Sequence, residues 1–157
     1  MNKKIIPIIL LLIILCIVGV FYFIKPKENI QKIYLTEKYY VEDKGEFIKI
    51  EKTQLEELVN ETYILYTYND YCKFPIPCDS IFEELMETYH INFLSIPFVD
   101  FRETSFYPEV KYAPSIIIVQ EGKTIDYLDA NSDDDIEKYQ NVKELKKWLE
   151  QYIYLSK

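Results

Sequence analysis

Apolar and polar positions fall into distinct regimes along this chain. Residues 5–24 form one continuous block without a charge, interrupted only by Pro7 and Gly19. At about 1.5 Å per residue, a helix of that length spans roughly 30 Å, the thickness of a hydrocarbon core, so the block predicts a membrane-spanning segment. From residue 46 onward shorter periods take turns. Glu46-Phe47-Ile48-Lys49-Ile50-Glu51 alternates in the manner of a half-buried strand. Thr53-Gln54-Leu55-Glu56 then reads as a capping box opening a helix, with Leu55, Leu58 and Val59 as its apolar stripe. Residues 62–68, rich in aromatic and β-branched side chains, suit a central buried strand. Helical spacing returns with Ile81, Phe82, Leu85, Met86 and Tyr89, followed by a strand-like run over 91–98 in which Pro97 suits an edge or an end. Two further strands, 115–119 and 123–128, flank a Glu121-Gly122 turn as an antiparallel hairpin, and Val142, Leu145, Trp148, Leu149, Tyr152 and Ile153 mark the buried face of a last helix. The order is β-α-β-α-β-(short helix)-β-β-α. It implies crossover helices on a sheet with parallel strands and an antiparallel hairpin at one edge, an α/β fold.

Composition adds a boundary to this picture. The chain has 157 residues, 49% of them hydrophobic and 16% aromatic, enough for one domain with its own core. The apolar block is longer than the 7 to 15 residues of a typical signal-peptide core and meets no small-residue cleavage site, so it reads as an uncleaved signal anchor. Leu15 before Cys16 departs from a lipoprotein signal. The organisation expected is a cytoplasmic stub and anchor over 1–25, a tether with one edge strand over 26–45, and a domain over 46–157. Lys3 and Lys4 stand before the anchor without an acid, whereas all 26 acids lie from Glu28 onward against 14 basic residues. The charge distribution favours a single-pass protein of the cell membrane with its acidic domain extracytoplasmic. So acidic a domain does not suit nucleic acid or an anionic lipid surface.

The candidate chemistry lies in two cysteines. Cys72 and Cys78 close the central strand segment with Lys73-Phe74-Pro75-Ile76-Pro77 between them, and Ala113-Pro114-Ser115 follows some forty residues downstream. Outside the cytoplasm disulfides persist, and a bond across a bent, proline-containing loop is sterically reasonable. A purely structural bond there would add roughly 2 to 3 kcal/mol in the chain-entropy model. Reactivity depends on where the next helix begins. A start near Cys72 would stabilise a thiolate through the helix N-terminus, whereas a capping box from Ser80 to Glu83 would leave both cysteines in an irregular loop. His90 is the sole histidine and has no ligand motif around it, and Asp133-Asp134-Asp135 lacks the spacing and glycine of a calcium loop, so neither a metal nor another cofactor is expected.

Over roughly residues 46–155 the chain resembles the thioredoxin superfamily. The resemblance rests on the ordered set Ile64-Leu65-Tyr66 leading to Tyr71-Cys72, Glu83-Glu84-Leu85, Val99-Asp100, and Tyr112-Ala113-Pro114-Ser115-Ile116-Ile117 followed by Glu121-Gly122-Lys123. Within the superfamily it is similar to the membrane-anchored, bacteriocin-transport-accessory type. The resemblance implies a three-layer fold, a cis peptide before Pro114 facing the cysteines, and a substrate-binding surface at Tyr71, Ala113 and Pro114. It further implies Cys72 as attacking and Cys78 as resolving thiol, acting on a cysteine-containing exported protein or peptide. Two departures stand out. Pro75 occupies the place of the second cysteine of C-x-x-C, and Tyr66 stands where many thioredoxins bury an aspartate that assists proton transfer. Two readings therefore stay open, an oxidoreductase and an inactive binding or accessory module with a structural Cys72-Cys78 disulfide.

Overall fold

The central strand expected over 62–68 is present and buried on both faces in the computed structural model, which describes residues 31–69 and 77–157. The anchor lies outside the described residues, and among those described no helix is long and apolar enough to cross a membrane. The elements are β1 (Ile33–Tyr34), β2 (Phe47–Lys49), α1 (Lys52–Glu57), β3 (Thr62–Tyr68), α2 (Cys78–Tyr89), β4 (Phe93–Pro97), α3 (Phe98–Phe101), β5 (Ser115–Gln120), β6 (Lys123–Asp129), α4 (Ile136–Gln140), α5 (Val142–Tyr152) and β7 (Ile153–Tyr154). Five of the strands form one sheet in the order β2-β4-β3-β5-β6. The β2-β4 and β4-β3 pairs are parallel, with α1 crossing from β2 to β3 and α2 from β3 to β4 as the alternating pattern implied, and β3-β5 and β5-β6 are antiparallel. Pro97 ends β4, where its missing N–H costs no ladder bond. Glu121 and Gly122 both take positive φ (50° and 72°), the pair of left-handed positions a two-residue hairpin turn requires.

Register divides the sheet into two faces. Lys49, Ser95, Tyr66, Ile116 and Leu128 stand in one row across it, one residue on from Ile48, Leu94, Leu65 and Ile117, which point the other way. Helix α2 packs on the first face through Phe82, whose ring meets that of Tyr66 edge-on at 5.0 Å, and α2 in turn contacts α4 and α5. The stripe of α5 is as expected in Leu145, Trp148 and Leu149, all buried. Ile153 is buried too, but as the first residue of β7 rather than as helix.

Three local expectations shift. Helix α1 is capped earlier, by a capping box of Glu51 and Gln54 rather than Thr53 and Glu56, and Val59 of its expected stripe is exposed. Helix α2 begins at Cys78 after Pro77, two residues before the Ser80 capping box and six after Cys72. Proline supplies a fixed φ and no N–H, so it ends the preceding segment without costing the helix a bond. Finally, residues 31–44, expected as a tether, do carry a short strand but are packed. β1 pairs in parallel with β7, Leu35 and Tyr39 are buried, and Thr36 exchanges backbone and side-chain bonds with Thr62 at the start of β3.

Candidate functional site

Three segments meet at one end of the sheet because of strand direction. β3 and β4 run parallel and finish together, with Tyr68 opposite Pro97, while antiparallel β5 starts there, with Ser115 opposite Thr67. The residues expected to act are distributed around this end. Tyr71 and Cys72 fall within 70–76 and lie outside the described residues. Cys78, Ala113 and Pro114 are described. The Ala113-Pro114 peptide is cis, as the resemblance implied. Asn69, just past β3, donates from Nδ2 to the Ala113 carbonyl at 3.3 Å, which ties the end of β3 to the proline loop. On the inner side of that loop, the Tyr139 hydroxyl of α4 shares its proton between the carbonyls of Leu128 (2.7 Å) and Pro114 (3.1 Å). Burial pushes the Tyr139 phenol far above its ordinary range, with the charges of Asp135 and Cys78 adding to the effect, so it stays a donor.

Cys78 is the first residue of α2 and only 1% exposed. A thiolate at that position would be favoured by the unpaired N–H groups and dipole of the helix and opposed by its burial. Its immediate neighbour across the layer is Tyr66 of β3, whose hydroxyl lies 3.8 Å from Sγ. The same hydroxyl donates to Oδ1 of Asp79, the next residue of α2, at 2.7 Å. Burial is the main cause holding the Tyr66 phenol protonated well beyond its usual range, and the neighbouring Cys78 and Asp79 act in the same direction. The departure at Tyr66 thus puts a neutral hydroxyl beside the thiol and a carboxylate one bond beyond it.

A cavity of about 200 Å³ adjoins this group, walled by Phe47, Tyr66 and Tyr68 with Lys49, Asp79 and Ser95 at its polar edges. Ser95 is 3% exposed and its hydroxyl finds no partner among the described residues. Two other cavities, of about 200 and 320 Å³, are lined from α1 and the opposite face and touch none of the expected site residues. Among the described residues no cluster of His, Cys, Asp and Glu could hold a metal ion.

Sequence reasoning found Cys78, Ala113, Pro114 and the unusual Tyr66. It missed Asp79, Asn69, Ser95 and Tyr139. Asp79 follows a singled-out cysteine and could have been found by asking which carboxylate a helix start would present. Tyr139 carries no local signal, since its role depends on α4, which no periodicity announced.

Neither a family model nor a curated protein sequence matches the chain. Solved structures similar to it include thioredoxin from Schistosoma mansoni, 18% identical over 69% of this chain and 96% of that one with a TM-score of 0.47. A point mutant of thioredoxin from Halobacterium salinarum NRC-1 is 18% identical over 71% and 93% with a TM-score of 0.49, and the Malassezia sympodialis thioredoxin is 14% identical over 71% and 93% with a TM-score of 0.47. The order β2-β4-β3-β5-β6, its parallel and antiparallel directions and the helices crossing it together make the fold of this chain thioredoxin-like.

Proposed function

We propose that this chain is a membrane-tethered, extracytoplasmic thiol-disulfide oxidoreductase. Cys72 is the attacking thiol, Cys78 the resolving one, and the substrate is a disulfide or dithiol of an exported protein or peptide. The observation that supports this reading most is the setting of Cys78: a sulfur sealed at a helix start, beside a hydroxyl and a carboxylate, at the sheet end it shares with the proline loop. A resolving thiol needs no access to substrate, only to its own partner cysteine, so burial suits that role. Exposed apolar surface at the same end, with Val99 59% and Tyr112 52% exposed, offers a place for a partner chain to lie.

Thiol trapping on a Cys78→Ser variant tests the proposal. An attacking Cys72 without its resolving partner accumulates mixed disulfides with other proteins, whereas their absence under both oxidising and reducing conditions rejects catalysis. The same burial of Cys78 also favours a second reading, a structural Cys72-Cys78 staple in a binding or accessory module. A reduction potential well below about −300 mV would mark the bond as structural.

A further inference from the structure

We propose that the cavity on the α2 face of β2, β4 and β3 binds a free α-amino acid with an apolar side chain, a site independent of the thiol chemistry proposed above. The cavity follows from residue order. Lys49, Ser95 and Tyr66 are neighbours in one row across the sheet, so a short side chain stands between two long ones and leaves a gap. Phe47, two residues before Lys49 on β2, and Tyr68, two residues after Tyr66 on β3, stand on the same face and wall that gap. The rings pack edge to edge around it, Phe47 with Tyr66 at 5.3 Å between centres and Tyr66 with Tyr68 at 5.8 Å, inclined by 32° and 29°. Helix α2 covers Tyr66 with Phe82 and adds only Asp79 to the lining.

The polar groups of the cavity define the ligand. Lys49 and Asp79 both line it and both are exposed, yet no ion pair joins them, and among the described residues neither has one elsewhere. The Ser95 hydroxyl is buried without a partner among the described residues, a cost that a ligand's polar atom would relieve. A simple anion would meet the Asp79 carboxylate and a simple cation the Lys49 ammonium, whereas a ligand carrying both charges a short distance apart satisfies the two. Aromatic walls ask for an apolar part as well. At about 200 Å³ the cavity is smaller than the roughly 300 to 1,000 Å³ of sites for drug-sized ligands and larger than the roughly 150 Å³ that holds benzene, so it admits one side chain of up to phenyl size and not a nucleotide. An amino acid meets each condition, with its carboxylate toward Lys49, its ammonium toward Asp79 and its side chain against the rings. A peptide does not, because its two charges sit on different residues.

Isothermal titration calorimetry of the full-length chain in detergent tests the site, with L-phenylalanine and L-leucine as probes. L-phenylalaninamide and N-acetyl-L-phenylalanine serve as ligands that each lack one charge. Saturable binding at about 1 mM or tighter is expected for a free amino acid of this size. Each blocked ligand should bind about tenfold more weakly, the scale of one charge-assisted bond. Lys49→Met should lose the same factor for L-phenylalanine and nothing for the amide, and Asp79→Asn the same factor for L-phenylalanine and nothing for the N-acetyl form. Both side chains are exposed, and thermal melts confirm that the variants fold. No saturable binding of either free amino acid to the parent overturns the site. A blocked ligand that binds as tightly as L-phenylalanine overturns the zwitterion, and variants whose losses fall equally on all ligands, or on none, overturn the roles of Lys49 and Asp79. None of these readouts depends on disulfide exchange, so the site and the exchange reading fail separately.

Discussion

Two tyrosine-carboxylate pairs sit at opposite ends of β3, and they do different things with the same bond. At the entrance to the strand, Tyr39 donates to Glu61 at 2.6 Å, and the same carboxylate receives Lys38 at 2.7 Å. Toward its exit, Tyr66 donates to Asp79 at 2.7 Å with the Cys78 sulfur on the other side of the hydroxyl. The first pair is closed by a cation and fastens the segment before β2 to the sheet. The second stands between a buried sulfur and an exposed carboxylate. A hydrogen bond's length does not reveal its role; the third group around it does.

Removing the Tyr39 ring should have the largest effect. Tyr39 is 2% exposed and packs against Tyr63 at 6.3 Å between ring centres. Tyr39→Ala should cost about 3 to 5 kcal/mol, the range for deleting a buried aromatic side chain, read as a lower denaturant midpoint. A loss under about 1 kcal/mol would mean that residues 31–44 are a tether after all, as their composition had suggested.

Glu61→Gln comes next and has a pH signature. Burial raises the Glu61 carboxyl, but the bonds from Lys38 and Tyr39 and the Lys38 charge outweigh it, so its net position is below the ordinary 4.5. A depressed folded-state value stabilises the protein above the unfolded value and loses that contribution as pH falls through the folded one. The parent should therefore exceed the variant by about 1 to 2 kcal/mol at neutral pH, with the difference fading below about pH 4.5. Thermal melts across that window check it, and a constant difference would remove the charge from the explanation.

Asp79→Asn should sharpen the contrast by doing little to stability. The side chain is exposed and the amide keeps an oxygen for Tyr66, so the loss should stay under about 1 kcal/mol, mostly the carboxylate's interaction with the helix start. A loss as large as that of Glu61→Gln would make the second pair another fastening.

The contrast also shows which parts of the molecule were open to reading from residue order. The sheet was legible because β3 is rich in aromatic and β-branched residues, β5 carries the apolar run 116–119, and the Glu121-Gly122 turn is a local signal. Pro114 and Cys78 were legible because each belongs to a short ordered pattern. The pairing of Tyr39 with Glu61 was not, since 22 residues separate them and their segments are joined by the bonds between Thr36 and Thr62, which no local pattern announces. Asp79 was hidden differently. It stands in plain sequence next to Cys78, but its meaning depends on α2 starting at that cysteine, and the capping box at Ser80 pointed two residues later.

A gain in stability, not a loss, separates the two faces of the sheet at β3's exit. Thr67 and Ser95 are both buried with hydroxyls that find no partner among the described residues, yet only Ser95 borders a cavity. An unsatisfied buried hydroxyl is destabilising, so replacing it by an apolar group of similar shape is neutral or favourable. Thr67→Val should therefore raise stability by about 1 kcal/mol, while Ser95→Ala should change it by less, because water entering the cavity already relieves its hydroxyl. Denaturant midpoints at constant slope measure both. Equal gains would mean that the cavity is dry and gives Ser95 no more relief than Thr67 has.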